Sequence, residues 1–206
     1  MNASPAVFFV TLLLAPAAFA ASSTDLTVQG TITPNGCEPA LSGGGVVDYG
    51  KMAAKELNPD SSTRLPDQEL QLSIQCDAPT MLVFNTIDNR RGTSALYDNM
   101  HGLGLTPDDE MIGSSGFSLY TPMADGVAAR TLASDDGGAT WGPASYLGPT
   151  LLTAIGAAAD NSYTPIAITR FTAQLRLLTL INHGDRLTVV DEIPMDGHAT
   201  LQIKYL

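Results

Sequence analysis

Hydrophobic and polar residues alternate with a period of two in several short segments of this chain, a pattern typical of half-buried strands. Alternation and strand-forming composition together predict strands at residues 26–32, 46–50, 70–75, 116–121, 166–180, 186–193 and 199–206. A fuller apolar run at residues 81–87 suits a strand buried on both faces. Residues 51–57 favour one or two helical turns, and residues 151–159 fit either a short helix or an apolar strand.

Turn-forming residues divide these segments. Gly, Asp and Pro recur every few residues between positions 88 and 149, which predicts hairpins and long loops around the strand at 116–121. Asp196 and Gly197 predict a tight turn between the last two strands. The sequence therefore predicts an all-β fold in which residues 21–206 form a single domain, and a β-sandwich is the architecture that this pattern favours.

The amino-terminal residues are typical of a secretory signal. Residues 6–15 form an apolar run that is too short to span a bilayer, because a transmembrane helix needs about 20 residues. Pro16 ends the run, and Ala18 and Ala20 supply the small residues of a cleavage site. Residues 1–20 are therefore predicted to be removed between Ala20 and Ala21. We expect an exported protein without a transmembrane anchor, found in the periplasm and then at the cell surface.

The exported chain would retain two cysteines, Cys37 and Cys76. Two thiols in an oxidising compartment are expected to pair, so the sequence predicts one disulfide.

Composition and charge exclude some classes of partner. The chain carries a formal net charge of −11, whereas nucleic acids and anionic membranes attract basic surfaces. Its 44% hydrophobic content places it far from the disordered regime. We therefore expect a globular protein that does not bind nucleic acid.

Three features occur together in this chain. Gly30 lies seven residues before the first cysteine, Cys37, and the second cysteine, Cys76, ends an alternating strand. The penultimate residue is a tyrosine, Tyr205. This combination resembles the pattern of chaperone–usher pilins. Further runs are similar to a family of exported, fimbria-associated proteins, the DUF1120 family, at residues 30–34, 41–45, 48–50, 88–90 and 199–206.

The resemblance implies an immunoglobulin-like, pilin-type sandwich that lacks its last strand and is completed by a strand from a partner. The implied partners are a periplasmic chaperone, an outer-membrane usher and other fimbrial subunits. The candidates for a donated strand are Leu26, Val28, Gly30 and Ile32. The candidates for the groove wall that faces a chaperone or donor are Leu201, Ile203 and Tyr205. An ordinary first strand explains the alternation of residues 26–32 equally well.

The same sequence is compatible with a function of another class. A binding module could hold a host or surface receptor through the loops of residues 88–149. Three scattered histidines, His101, His183 and His198, show no metal-ligand spacing, so we expect no enzyme, cofactor or metal. Residues 134–141 match the Asp-box of sialidases, which is a structural hairpin turn where it occurs.

Overall fold

The computed structural model describes residues 36–159 and 162–206. The strands in these residues are β1 (Cys37–Leu41), β2 (Thr63–Arg64), β3 (Gln68–Thr80), β4 (Leu82–Asp88), β5 (His101–Gly102), β6 (Gly113–Ala124), β7 (Val127–Ser134), β8 (Gly142–Pro143), β9 (Tyr146–Leu147), β10 (Leu152–Ala157), β11 (Ile168–Ile181) and β12 (Ala199–Tyr205). Short 3-10 helices occur at Ser42–Gly45, Ala54–Glu56 and Gly184–Arg186. Within the described ranges, none of the helices reaches the length and hydropathy of a bilayer span.

Eight of the strands follow one another in a continuous antiparallel path, in the order β1-β3-β11-β6-β7-β10-β4-β12. The short hairpin between β6 and β7 joins the two halves of this path. The remaining four strands pair at its sides, β2 with β11, β5 and β9 with β6, and β8 with β7. The two halves therefore form the two sheets of a sandwich, as the sequence predicted.

The main core lies between these two sheets. Leu72 and Phe171 of the first sheet belong to the same buried cluster as Phe84 and Ile155 of the second. The ring centroids of Phe84 and Phe171 lie 6.0 Å apart, and neither side chain has any exposed surface. Strand β3 shows how the pattern places these residues, because Leu72 and Ile74 are buried while the intervening Ser73 is only half-buried.

The predicted disulfide between Cys37 and Cys76 is confirmed. The two cysteines lie directly opposite each other in the antiparallel ladder of β1 and β3. The bond therefore fastens the first described strand to a strand that is buried in the sheet.

Two of the predicted strands are wrong. Residues 46–50 have no ladder partner among the described residues, and residues 186–193 begin in a 3-10 turn and continue as irregular chain. The tight turn expected at Asp196 and Gly197 therefore does not join two strands. Valines give residues 46–50 and 186–193 a strand-like composition, but a strand forms only where a neighbour can accept its hydrogen bonds. Residues 151–159, which fitted either a short helix or a strand, contain strand β10.

The turn that follows β7 has the hydrogen bonds expected of an Asp-box. The hydroxyl groups of Ser134 and Thr140 each donate to the Asp136 carboxylate at 2.6 Å, and the Thr140 amide donates at 3.0 Å. These bonds hold the pKa of the Asp136 carboxyl well below its usual range. Trp141, at the end of this turn, packs against a small apolar cluster that includes Leu132. Its role here is therefore structural, as predicted.

Candidate strand-accepting cleft

The two ends of the strand path, β1 and β12, are each paired on one side only among the described residues. Strand β1 pairs with β3, and β12 pairs with β4 along its whole length. The two edges are linked at one point, where the Cys37 amide donates to the Tyr205 hydroxyl at 3.1 Å. The sandwich thus carries two strand edges that do not pair with each other.

Backbone groups of β12 point into the space beside this edge. The amide of Leu206 donates to the carbonyl of Met81, which directly precedes β4, and the carbonyl of His198 accepts from the amide of Asn89. Since antiparallel pairing alternates along a strand, the intervening residues direct their N–H and C=O groups away from β4. These residues are Ala199, Leu201, Ile203 and Tyr205. Within the described part of the chain these groups have no ladder partner, so a further strand could pair with them.

The opposite edge, β1, offers fewer free backbone N–H groups. The Cys37 amide points toward β12 and is already bonded to the Tyr205 hydroxyl. By the same alternation the next backbone nitrogen on that side belongs to Pro39, which has no N–H. Proline is a common way to blunt an exposed strand edge. The two edges are therefore chemically unequal.

A cleft of about 1060 Å³ opens between the two sheets beside these edges. Aliphatic side chains from both sheets line it, among them Leu70, Leu175 and Leu177 on one side and Leu201 on the other. A smaller cavity of about 420 Å³ lies between Pro39–Leu41 and Leu201, where β1 and β12 face each other. Beside the two strand edges the walls are thus aliphatic, while the rest of the lining includes polar and charged side chains such as Asp48, His101 and Asp191.

Of the three residues predicted for the groove wall, only Leu201 lines the cleft. Leu201 and Ile203 are half-buried and pack against the main core, while Gln202 and Lys204 point outward and are exposed. Tyr205 is 42% exposed, and it contributes its hydroxyl group to the link with Cys37 rather than a buried ring.

The candidate donor residues Leu26, Val28, Gly30 and Ile32 lie outside the described residues. The predicted cleavage site at Ala20 and Ala21 does so as well. Both assignments stay predictions.

The sequence did not reveal the two segments that cover one end of the cleft, residues 46–54 and 187–195, called here the roof segments. Lys51 and Glu192 connect them through an ion pair of 2.5 Å. The Tyr49 hydroxyl reaches across the cleft to Thr179 of β11 at 2.9 Å. No local pattern could have predicted these contacts, because their partners are separated by more than a hundred residues.

The acidic turn before β6 also holds one roof segment. The Glu110 carboxylate accepts hydrogen bonds from the amide and the hydroxyl of Thr188, at 2.7 and 2.8 Å, and another from the Thr106 hydroxyl. The bonds from Thr188 are the main reason that the pKa of Glu110 lies below its usual range. This carboxylate therefore anchors residues 187–195 at their start.

A buried imidazole forms part of the cleft floor. His101 stacks on Phe117 with ring centroids 4.4 Å apart. Its Nδ1 lies 3.3 Å from the Ser115 carbonyl oxygen, which can only accept, so in the neutral ring Nδ1 donates and Nε2 accepts from the Thr86 hydroxyl at 2.8 Å. Burial lowers the pKa of His101, although the nearby Asp88 carboxylate and the Ser115 carbonyl oppose that shift. Burial therefore favours the neutral form of the imidazole.

Acidification should destabilise the fold through His101. Its folded-state pKa lies below the ordinary value of 6.5, so the unfolded chain takes up this proton first as the pH falls. The stabilisation is full above pH 6.5 and is lost as the pH falls below that value. Urea unfolding of the wild type and of His101→Gln should show a steeper loss between pH 7.5 and pH 5.5 in the wild type. The exposed His198→Gln serves as the control, and equal slopes in the wild type and H101Q would contradict this assignment.

Comparisons with known proteins match this chain to one family. Residues 26–102 match the family described as "Protein of unknown function (DUF1120)". Protein GltF of Escherichia coli (strain K12) is 30% identical over 244 residues, covering 94% of this chain and 94% of the relative. The uncharacterized protein YhcF of the same organism is 25% identical over 240 residues, covering 96% of this chain and 99% of the relative. The similarity to these relatives extends over nearly the full length of each protein.

Proposed function

This chain belongs to the DUF1120 family, and we propose that it is a structural or minor tip subunit of a chaperone–usher fimbria that a partner strand completes. The observation that carries the proposal is the cleft, walled in part by aliphatic side chains, between β1 and β12, each of which pairs on one side only within the described residues. The proposed role contains no catalytic step. It places the protein in the periplasm first and in the fimbria afterwards.

An apolar cleft beside an unfinished ladder is an aggregation hazard unless something occupies it. An extended segment would satisfy the outward-pointing backbone groups of β12 and cover the aliphatic walls at the same time, which is β-augmentation. A donor that buries four apolar side chains would contribute roughly 6–12 kcal/mol before the entropy cost of ordering it. A periplasmic chaperone and a neighbouring subunit are the partners that could supply such a strand.

The alternative, a self-sufficient receptor-binding module that uses residues 88–149, has less support. Much of that region is built into strands β6 and β7. The loop before β6 is tied back to the domain, since Arg90 bonds Asp196, Ser94 bonds Ser114, and the Tyr146 hydroxyl donates to the Asn99 carbonyl. These contacts leave fewer free side chains for a ligand than a long open loop would.

The test is expression of residues 21–206 in the periplasm, with and without a fimbrial chaperone, followed by size-exclusion chromatography. We expect aggregation of the chain alone and a stable 1:1 complex with the chaperone. A monodisperse, thermally stable monomer in the absence of any chaperone would overturn the proposal and favour the binding module.

Two neighbouring residues of β12 offer a matched pair of variants. Leu201→Arg places a charge on the cleft wall and should abolish the chaperone complex, whereas Gln202→Arg changes the exposed outer face and should leave it intact. Circular dichroism of each variant separates lost binding from lost folding, and the smaller Leu201→Ser replaces L201R if that variant does not fold. Equal complex formation by the cleft-wall and outer-face variants would count against the cleft.

A further inference from the structure

We infer that the roofed end of the cleft is a binding site for a small, uncharged molecule, which accepts a hydrogen bond from the Ser115 or Thr179 hydroxyl group and packs its apolar part against the walls. Strands β6 and β11 and one roof segment build this site, so the inference does not rest on the proposed function. Three properties of the lining support it: a surplus hydrogen-bond donor, an excess of acidic side chains and apolar walls.

Three hydroxyl groups meet at the roofed end of the cleft. The Tyr49 hydroxyl donates to the Thr179 hydroxyl at 2.9 Å, and the hydroxyl oxygens of Thr179 and Ser115 lie 3.2 Å apart. Three hydroxyl protons are present, whereas two hydrogen bonds join the three oxygen atoms. Whichever way the bond between Ser115 and Thr179 runs, one of these two residues keeps a proton that has no acceptor within the described ranges.

Burial makes this surplus proton costly. Ser115 is 6% exposed, Thr179 is 2% exposed, and both residues line the cleft. They are direct cross-strand neighbours on β6 and β11, so the sheet fixes their positions. A buried hydroxyl donor without an acceptor raises the free energy of the folded chain. An acceptor oxygen on a bound molecule would remove that cost.

The charged side chains of the lining argue against an ionic ligand. One lysine, Lys51, stands against three carboxylates, Asp48, Asp191 and Glu192. This lysine is already paired with Glu192 at 2.5 Å. The excess of negative charge disfavours an anion, and an ammonium group has no lone pair to accept the surplus proton. A neutral carbonyl, ether or alcohol oxygen meets both conditions.

Apolar side chains adjoin the hydroxyl groups. Ile181 follows Thr179 by two residues on β11, so the two side chains share a face of the strand. Ile181 and Ile112 belong to a buried cluster, and Met52 and Met195 pack against it. Flexible, polarizable methionine side chains adapt to molecules of different shape. The cleft volume of about 1060 Å³ is ample for a small ligand.

Three probes of nearly the same shape test the site. Acetophenone offers a neutral carbonyl oxygen, α-methylstyrene has a methylene group in place of this oxygen, and benzoate carries a negative charge. Their dissociation constants are measured by ligand-observed NMR with dilute protein comprising residues 21–206. The variant Ser115→Ala/Thr179→Val removes both hydroxyl groups with little change in shape. We expect the affinity for acetophenone relative to α-methylstyrene to fall roughly 3- to 10-fold in this variant. Benzoate should bind the wild type more weakly than acetophenone does.

Ser73→Ala/Thr172→Val is the matched control. These two residues are also direct cross-strand neighbours on β11 and an adjacent strand, but they lie on the outer face of the sheet. The control should leave the relative affinity unchanged. An equal effect of the two double variants, or tighter binding of benzoate than of acetophenone, would overturn the inference. Failure of acetophenone to bind, while the chaperone complex still forms, would overturn the inference and leave the proposed function standing.

A second measurement needs no variant. Wild-type protein with 13C-labelled isoleucine methyl groups is titrated with acetophenone and followed by NMR. The methyl signals of Ile112 and Ile181 should shift, because both side chains line the cleft. The signal of Ile87, which is 40% exposed, should stay in place. Unchanged signals of Ile112 and Ile181 at saturating acetophenone would overturn the assignment of the site.

Discussion

Replacing Cys37 and Cys76 together by alanine is expected to lower the free energy of unfolding by roughly 4 kcal/mol. The disulfide joins residues that are 39 positions apart, so it removes much of the conformational freedom of the unfolded chain. Strand β1 is otherwise held in the described sheet by one ladder, with β3, and should fray when the bond is absent. Urea unfolding followed by the fluorescence of Trp141, the single tryptophan, measures the loss.

Reduced wild-type protein is the control for this pair of substitutions. Under a thiol reductant it should unfold at the same urea concentration as Cys37→Ala/Cys76→Ala, because both lack the cross-link. A loss below about 1 kcal/mol would show that the bond contributes little beyond the ladder that it joins.

Phe171→Ala should cost about 3–5 kcal/mol of stability, the range for removing a buried aromatic ring. The ring has no exposed surface and lies against Phe84 of the opposite sheet, so its loss leaves a cavity between the sheets. Chemical unfolding of the variant gives the cost directly. A domain of ordinary stability has a free energy of unfolding of about 5–15 kcal/mol, so this substitution would remove a large part of it.

Met123→Ala is the matched control, since that side chain is 37% exposed on β6. It should change the free energy of unfolding by less than about 0.5 kcal/mol. The cycle of Phe84→Ala, Phe171→Ala and the double variant should show a coupling of about 0.5–1.5 kcal/mol beyond the area that each ring buries. Strict additivity would mean that the two rings share a core without stabilising each other.

The parts of the fold that the sequence predicted are those set by local pattern. Leu72 and Ile74 alternate with polar residues because one face of β3 meets the core, and the inward face of β12 at Leu201 and Ile203 follows the same rule. The disulfide followed from an expected compartment and a count of two cysteines. Each of these inferences needed only neighbouring residues or a single property of the whole chain.

The parts that the sequence did not predict depend on distant partners. The roof segments contain valines that suit a strand, yet Val46 is 72% exposed and Val190 is 84% exposed, and neither segment pairs with a strand in the part of the chain that the structure describes. Lys51 and Glu192 are 141 residues apart, and no periodicity connects them. The inequality of the two edges likewise appears only once the register shows which side of β1 Pro39 faces.

The number of strands in the path fixes the relative direction of its first and last strands. Eight strands joined by seven antiparallel steps leave the first and the last, β1 and β12, running in opposite directions. A ninth strand between them makes the number odd, so it must run parallel to one edge and antiparallel to the other whichever way it enters. Reversing the direction of the inserted segment therefore exchanges the two kinds of neighbour and never yields a wholly antiparallel ring. Direction of entry is thereby a variable that the acceptor can discriminate, because it decides whether the proline-containing edge of β1 receives a parallel or an antiparallel neighbour.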